Sequence, residues 1–220
     1  MVKKRCGWVG ESNPLLLEYH DREWGVPVHD DAKHFEFLIL EGSQAGLSWS
    51  IVLNKRDGYR GAFSEFDPTR VARYTEKRVQ KLLLDPAIIR NRRKIEAAVR
   101  NARAFLSIQE EFGSFDAFAW RFVGGRPKVN RWKMMKQIPA TSTESDVFSR
   151  DLKTARIQFC GLHDYLCAHA GGRDGERSSR RLLPISGGDH GVVSTYVLPI
   201  GCDHPAVGDR GTRVLTGFIQ

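Results

Sequence analysis

Apolar positions in the first two-thirds of the chain recur every three or four residues, the period of one helix face. After Asp30 and Asp31, residue types suited to an N-cap, a stripe of Phe35, Leu38, Glu41, Ala45, Trp49 and Val52 advances with that step. It predicts one helix with Glu41 on its apolar side. Val79, Leu82 and Leu83 predict a shorter helix over 76–84, and Ile95, Ala98, Val99, Ala102, Phe105 and Leu106 a longer one over 91–107. Between them "LDPAIIRNRRK" reads as a tight turn, because Pro86 ends the first helix and few residues remain before the second. Another helix is expected from Phe115 to Phe122, ended by Gly124 and Gly125. One more starts near Thr143, with Asp146 three residues on as an approximate capping box. No strand pattern holds before residue 160, so the expected fold class is all-α over that part of the chain.

Composition narrows the class without naming a function. The 220 residues, 41% hydrophobic and 27% charged, suffice for one substantial core or two small lobes. No apolar run is long enough to span a bilayer, and "MVKKRCGWVGESNP" has no apolar segment behind its basic residues, which leads to the expectation of a cytoplasmic protein with no membrane partner. Four widely spaced cysteines, Cys6, Cys160, Cys167 and Cys202, are too sparse for a disulfide scaffold. The excess of 34 Lys+Arg over 26 Asp+Glu gives a net charge of +8, which suits a polyanionic partner. That charge concentrates in "RNRRKIEAAVRNAR", where Arg90, Arg92, Arg93 and Lys94 meet the start of the long helix. Two helices joined by a tight basic turn are the sequence form of a helix-hairpin-helix, which offers backbone N–H groups and a helix N-terminus to one phosphate while arginines hold its neighbours. A solvated helix pair with a charged corner has the same pattern.

The stretch "LEGSQAGLSW" carries the chemistry. A helix carboxylate can simply pair with an arginine, but Gly42, Ala45 and Gly46 remove bulk around Glu41, and Trp49 follows two turns later. An acid in an aromatic-walled cavity receives a flat cation: the ring stacks on the indole and the carboxylate accepts its N–H groups.

In "RCGWV", "YHDREWGVP", "LEGSQAGLSW", "FDPTRVA", "IIRNRRKI", "NARAFL" and "IPATSTESD", over about residues 5 to 161, the chain resembles the 3-methyladenine DNA glycosylase I family of bacterial base-excision repair. The resemblance implies a helix-hairpin-helix DNA glycosylase fold. Its activity is to flip a damaged nucleotide from alkylated double-stranded DNA and hydrolyse the N-glycosidic bond, releasing 3-methyladenine. No lyase step and no protein partner are implied. By the same resemblance Glu41 is the base-recognising carboxylate, Tyr19 and Trp49 are aromatic residues of the base site, and Trp8 lies in the matching N-terminal motif. Cys6 and His20 match two ligands of a structural zinc, whose other two ligands, a histidine and a cysteine four residues later, come from near the C-terminus of the family. That second pair is missing: Cys160, His163, Cys167 and His169 fall in the wrong segment. In the hairpin turn, where the family leads one to expect glycine, the chain has Pro86 and Ala87.

Two other functions fit parts of the pattern: a DNA-binding helix-hairpin-helix protein without catalysis, and an inactive product of a frameshifted glycosylase gene. The second arises from the tail. All eleven lysines precede residue 154, while the last fifty residues hold ten of the 21 glycines. We therefore expect residues 1–160 to form the glycosylase domain and 161–220 to be a Gly/Arg-rich, non-family tail with little regular structure, read out of frame. With permitted codons, "RDGERSSRRLLP" read from the second base spells Gly-Met-Val-Asn-Asp-His-Leu-Val-Ala-Cys-Cys, which supplies the absent histidine and cysteine. The nucleotide sequence tests this: the second frame of codons 161 to 184 should spell the Asn-Asp-His string, and any other reading overturns the expectation.

Overall fold

The computed structural model describes residues 5, 6, 9, 13–127 and 142–158. The tail from 161 onward, with its expected frame and lack of order, lies outside the described residues. Among the described residues every regular element is helical: α1 (Pro14–Arg22), α2 (Asp31–Gln44), α3 (Trp49–Leu53), α4 (Arg56–Ala62), α5 (Pro68–Val71), α6 (Glu76–Leu84), α7 (Arg92–Phe112), α8 (Phe115–Trp120) and α9 (Thr143–Thr154), with short 3-10 turns at Ser64–Phe66 and Arg121–Val123. No helix among them is long and apolar enough to cross a membrane.

Helix α2 is the axis of the molecule. Every residue from His34 to Ser43 is buried, and the helix packs against α3, α7 and α8. Phe35 meets Phe105 of α7 edge-on at 5.1 Å, Phe105 stacks on Phe115 of α8 at 4.3 Å, and Phe118 touches Phe148 of α9 at 5.9 Å. Each aromatic pair adds about 0.5–1.5 kcal/mol beyond the area it buries.

The capping expectations hold in part. Asp30 is the N-cap of α2, accepting from the Ala32 N–H at 3.0 Å. Asp31 does something the sequence pattern did not suggest: it accepts from Gln109 Nε2 and from the Phe115 and Asp116 N–H groups, at 2.6, 2.9 and 2.8 Å. It thereby satisfies orphan donors at the start of α8, far away in sequence. Asp116 in turn meets His34 Nε2 at 3.1 Å, fastening α8 to α2. At α9 the capping box is made by Ser142 and Ser145, not by Thr143 and Asp146. Helix α7 begins with Asn91 accepting from the Lys94 N–H and runs beyond the expected end, to Phe112. The segment after Phe115 is shorter than expected: α8 stops at Trp120, and a 3-10 turn leads into Gly124 and Gly125, both at positive φ.

The stripe that predicted one helix from Phe35 to Val52 is two. Helix α2 ends at Gln44, Gly46 takes φ +76°, and α3 starts at Trp49 after Ser48. A glycine in a left-handed conformation breaks the helix at little steric cost.

A partly buried ion cluster around Glu36 ties α2 to α1 and α4. Arg56 donates through Nη1 and Nη2 to Glu23, both at 2.7 Å, and through Nε to Glu36 at 2.8 Å. Lys33 bridges the same two acids at 2.9 and 2.8 Å, and Arg60 reaches Glu36 at 3.3 Å. Burial pushes the Glu23 carboxyl up, but hydrogen bonds from Arg56 and Lys33 outweigh it and bring its pKa from the usual 4.5 down to about 2. Against the same burial, Arg56 and Lys33 lower Glu36 too. A carboxyl held below its unfolded pKa stabilises the fold fully above the unfolded value, and that contribution is lost as pH falls through the folded one. Arg56→Met, which leaves the buried Glu36 and the partly buried Glu23 short of a partner, should cost about 2–3 kcal/mol at neutral pH. Its deficit relative to wild type should shrink as pH falls from about 4.5 towards about 2, because protonated acids no longer need the guanidinium. Urea denaturation of both proteins across that pH range measures the deficit.

Candidate functional site

Glu41 lies in the last full turn of α2, Tyr19 on the buried face of α1, and Trp49 at the first position of α3. The fold brings the three together. Tyr19 meets Trp49 edge-on, with ring centroids 5.5 Å apart, and Phe37 at 6.5 Å. Tyr19 is 1% exposed, Trp49 4% and Glu41 5%. Burial first, and then the nearby Glu41 carboxylate, raise the Tyr19 hydroxyl well above its ordinary pKa, so it stays protonated.

Both Glu41 carboxylate oxygens and the Trp49 Nε1 are sealed from solvent, and the indole N–H has no hydrogen-bond acceptor among the described residues. Buried donors in native proteins are nearly always satisfied, so a buried indole N–H without an acceptor among the described residues is a donor suited to a ligand. The break between α2 and α3 makes this possible, because it turns Trp49 back towards Tyr19 instead of leaving it further along a continuous helix. Gly42 is buried next to Glu41, whereas Ala45 and Gly46 are exposed in the break, where they shape the backbone rather than clear space around the acid. Gly46 followed by Ser48 immediately before Trp49 was the sequence signal for that break: a residue free to adopt positive φ, then an N-cap type.

The basic residues of the α6–α7 turn do not behave alike. Arg90, Arg92 and Arg93 are exposed. Arg92 bonds Glu76 at 2.8 Å and Glu96 at 3.2 Å, while Arg90 and Arg93 have no ion-pair partner among the described residues. Lys94 turns inward: its Nζ donates to the carbonyl oxygens of Ser43 at 2.8 Å and Ala45 at 2.6 Å. Partial burial lowers its pKa from the ordinary lysine value.

The turn itself is held by α4. Lys55 Nζ donates to the Pro86 carbonyl at 2.7 Å, and the Ile89 N–H donates to the Tyr59 hydroxyl at 3.2 Å. Ala87 does not adopt positive φ, so the position does not need glycine's backbone freedom. The close approach falls on the other side of the contact, at Gly58, where an added Cβ would stand 2.8 Å from Ala87 Cβ and collide with the Ala87 carbonyl oxygen.

At the N-terminus Cys6 and His20 are adjacent, with the Cys6 N–H donating to His20 Nε2 at 3.4 Å. Asp21 Oδ1 sits 3.1 Å from His20 Nδ1, and Arg5 holds Asp21 at 2.9 Å. Among the described residues no group of three or more His, Cys, Asp or Glu could hold a metal ion. Trp8, Cys160, His163, Cys167 and His169 lie outside the described residues.

These features have counterparts in known proteins. The family model for methyladenine glycosylase matches residues 8–168. DNA-3-methyladenine glycosylase 1 of Escherichia coli is 46% identical over 158 residues, covering 72% of this chain and 84% of that protein. A crystal structure of 3-methyladenine DNA glycosylase I superposes with a TM-score of 0.69 at 44% identity, over 73% of this chain and 87% of the other. The Staphylococcus aureus enzyme, solved to explain 3-methyladenine recognition, superposes at 0.68 with 36% identity, over 70% and 82%. Matches of this extent, over an all-α fold, establish that the chain belongs to the methyladenine glycosylase family.

Proposed function

We propose that this protein removes 3-methyladenine from alkylated double-stranded DNA in the cytoplasm, with Glu41, Tyr19 and Trp49 receiving the extruded base. The observation that carries the reading is the buried Trp49 N–H without an acceptor among the described residues, on an indole edge-on to Tyr19, whose hydroxyl in turn feels the charge of the buried Glu41. Alkylation at N3 gives adenine a positive charge, which strengthens its N–H groups as donors and makes it a good leaving group. Glu41 accepts from the cation and the rings cover its faces, so the site selects the reactive base over neutral adenine. Water attacks the sugar carbon, the bond from that carbon to the base breaks, its electron pair neutralises the departing cation, and the proton that the water sheds passes to solvent. Little acid catalysis is required, and Glu41 assists by stabilising charge rather than by acting as an obligatory base. No lysine adduct is needed, in keeping with a monofunctional hydrolase.

For the DNA partner, α6, the turn and α7 serve as the helix-hairpin-helix. Arg90, Arg92 and Arg93 face solvent where phosphates would lie, and α4 fixes the turn that presents them. Zinc, the structural cofactor implied by the resemblance, would be held in part by Cys6 and His20. Asp21 at Nδ1 leaves Nε2 directed to Cys6, the carboxylate–histidine arrangement that favours a ligating Nε2. Bound there, the metal would clip the N-terminal segment in place without entering the reaction.

Glu41→Gln keeps the size of the side chain and removes its charge. It should weaken binding of free 3-methyladenine by about 1.5–3 kcal/mol, read by calorimetry, with the melting temperature little changed. Equal affinities would sink the recognition role. Arg90→Ala and Arg93→Ala should weaken binding to damaged and undamaged duplexes alike, each lowering the slope of log K against log salt by about one. An unchanged slope would place the turn away from DNA.

A further inference from the structure

Helix α2 ends where its C-terminal carbonyls have no partner within the helix, and its own last turn contains no basic residue. The cation that answers them comes from another helix. Lys94 extends from the first turn of α7 and donates to the Ser43 and Ala45 carbonyls, the second of which is the C-cap of α2. An ammonium at the negative end of a helix is favourably placed by charge as well as by hydrogen bonding. Beside it, the Tyr59 hydroxyl of α4 accepts the Ile89 N–H and so holds the basic turn that leads into α7. Immediately beyond Ala45 comes Gly46 at φ +76°, then Ser48 and Trp49.

We propose that Lys94 is a positioning residue for base recognition: by capping α2 from α7 it holds the 45–48 break in the conformation that seats Trp49 against Tyr19, and it thereby couples the basic turn to the base site. The inference rests on the assignment of Glu41, Tyr19 and Trp49 to the base. A phosphate role and a positioning role make opposite demands on the side chain. With two N–H groups directed at the carbonyls that end α2, the partly buried ammonium is engaged within the protein, whereas Arg90 and Arg93 stand exposed with no ion-pair partner among the described residues. Without the ammonium, the carbonyls of Ser43 and Ala45 turn to water and the break samples other conformations. Affinity for the base then falls in proportion to the population of the seated arrangement.

The test compares Lys94→Met, Lys94→Gln and Lys94→Arg with wild type in the full-length protein. The readouts are calorimetric affinity for free 3-methyladenine, single-turnover excision at saturating enzyme, and the salt slope for an undamaged duplex. Lys94→Met should lose about tenfold in base affinity and a similar factor in excision rate, with the salt slope unchanged. Lys94→Arg, which can still donate to both carbonyls, should recover most of both. Should Lys94→Met not fold, Lys94→Gln, with amide donors but no charge, supplies the same three readings with a smaller loss. A slope lowered by about one with base affinity intact would make Lys94 a phosphate contact and overturn the inference. So would full base affinity and excision in Lys94→Met. A wild-type protein that binds no free 3-methyladenine would overturn the base-site assignment itself, and this inference with it.

Discussion

The cost of burying acid in the middle of helix α2 organises this protein. Helix α2 carries Glu36 and Glu41 inside the fold and Asp30 and Asp31 at its start, and a carboxylate removed from water without compensation costs several kcal/mol. Asp30, Asp31 and Glu36 are bonded in ways that assemble the domain. Asp30 closes the helix's own first turn, Asp31 gathers the start of α8 and Gln109 of α7, and Glu36 gathers Lys33, Arg56 and Arg60. Glu41 is carried in the last turn of the same helix, near Tyr19. The ion pairs and caps fix the helix that presents it.

What the sequence made legible was whatever repeats locally. Helix periodicity located α2, α6 and α7, Asp30 was recognisable as a cap, and Gly124 and Gly125 marked an end. The carboxylate and both aromatic residues of the site were identified from "LEGSQAGLSW" and the family resemblance, and the fold gathers them. The break between α2 and α3 was hidden because Ala45, Trp49 and Val52 happen to continue the helical step across it. Period alone cannot separate one helix from two that share a stripe. Pairings across long separations were equally silent: Arg56 with Glu23 and Glu36, Asp31 with Phe115, and Lys94 with the end of α2 are set by packing, not by neighbours in sequence.

Charge concentrated at one turn is therefore not one function. Of four basic residues in a row of five, two are left to solvent, one is shared with Glu76 and Glu96, and one is drawn inward to a helix terminus. Counting lysines and arginines measures the field that attracts a polyanion, whereas the direction of each side chain determines which residues are left to meet it.

The contact between Gly58 and Ala87 bears on which of the two positions is free to vary. The atom that a Cβ at 58 would meet first is the carbonyl oxygen of Ala87, a backbone atom that every residue type carries. Glycine at 58 is therefore demanded by the path of the turn rather than by the methyl at 87. No replacement at 87 makes room for a side chain at 58, so the constraint runs in one direction only.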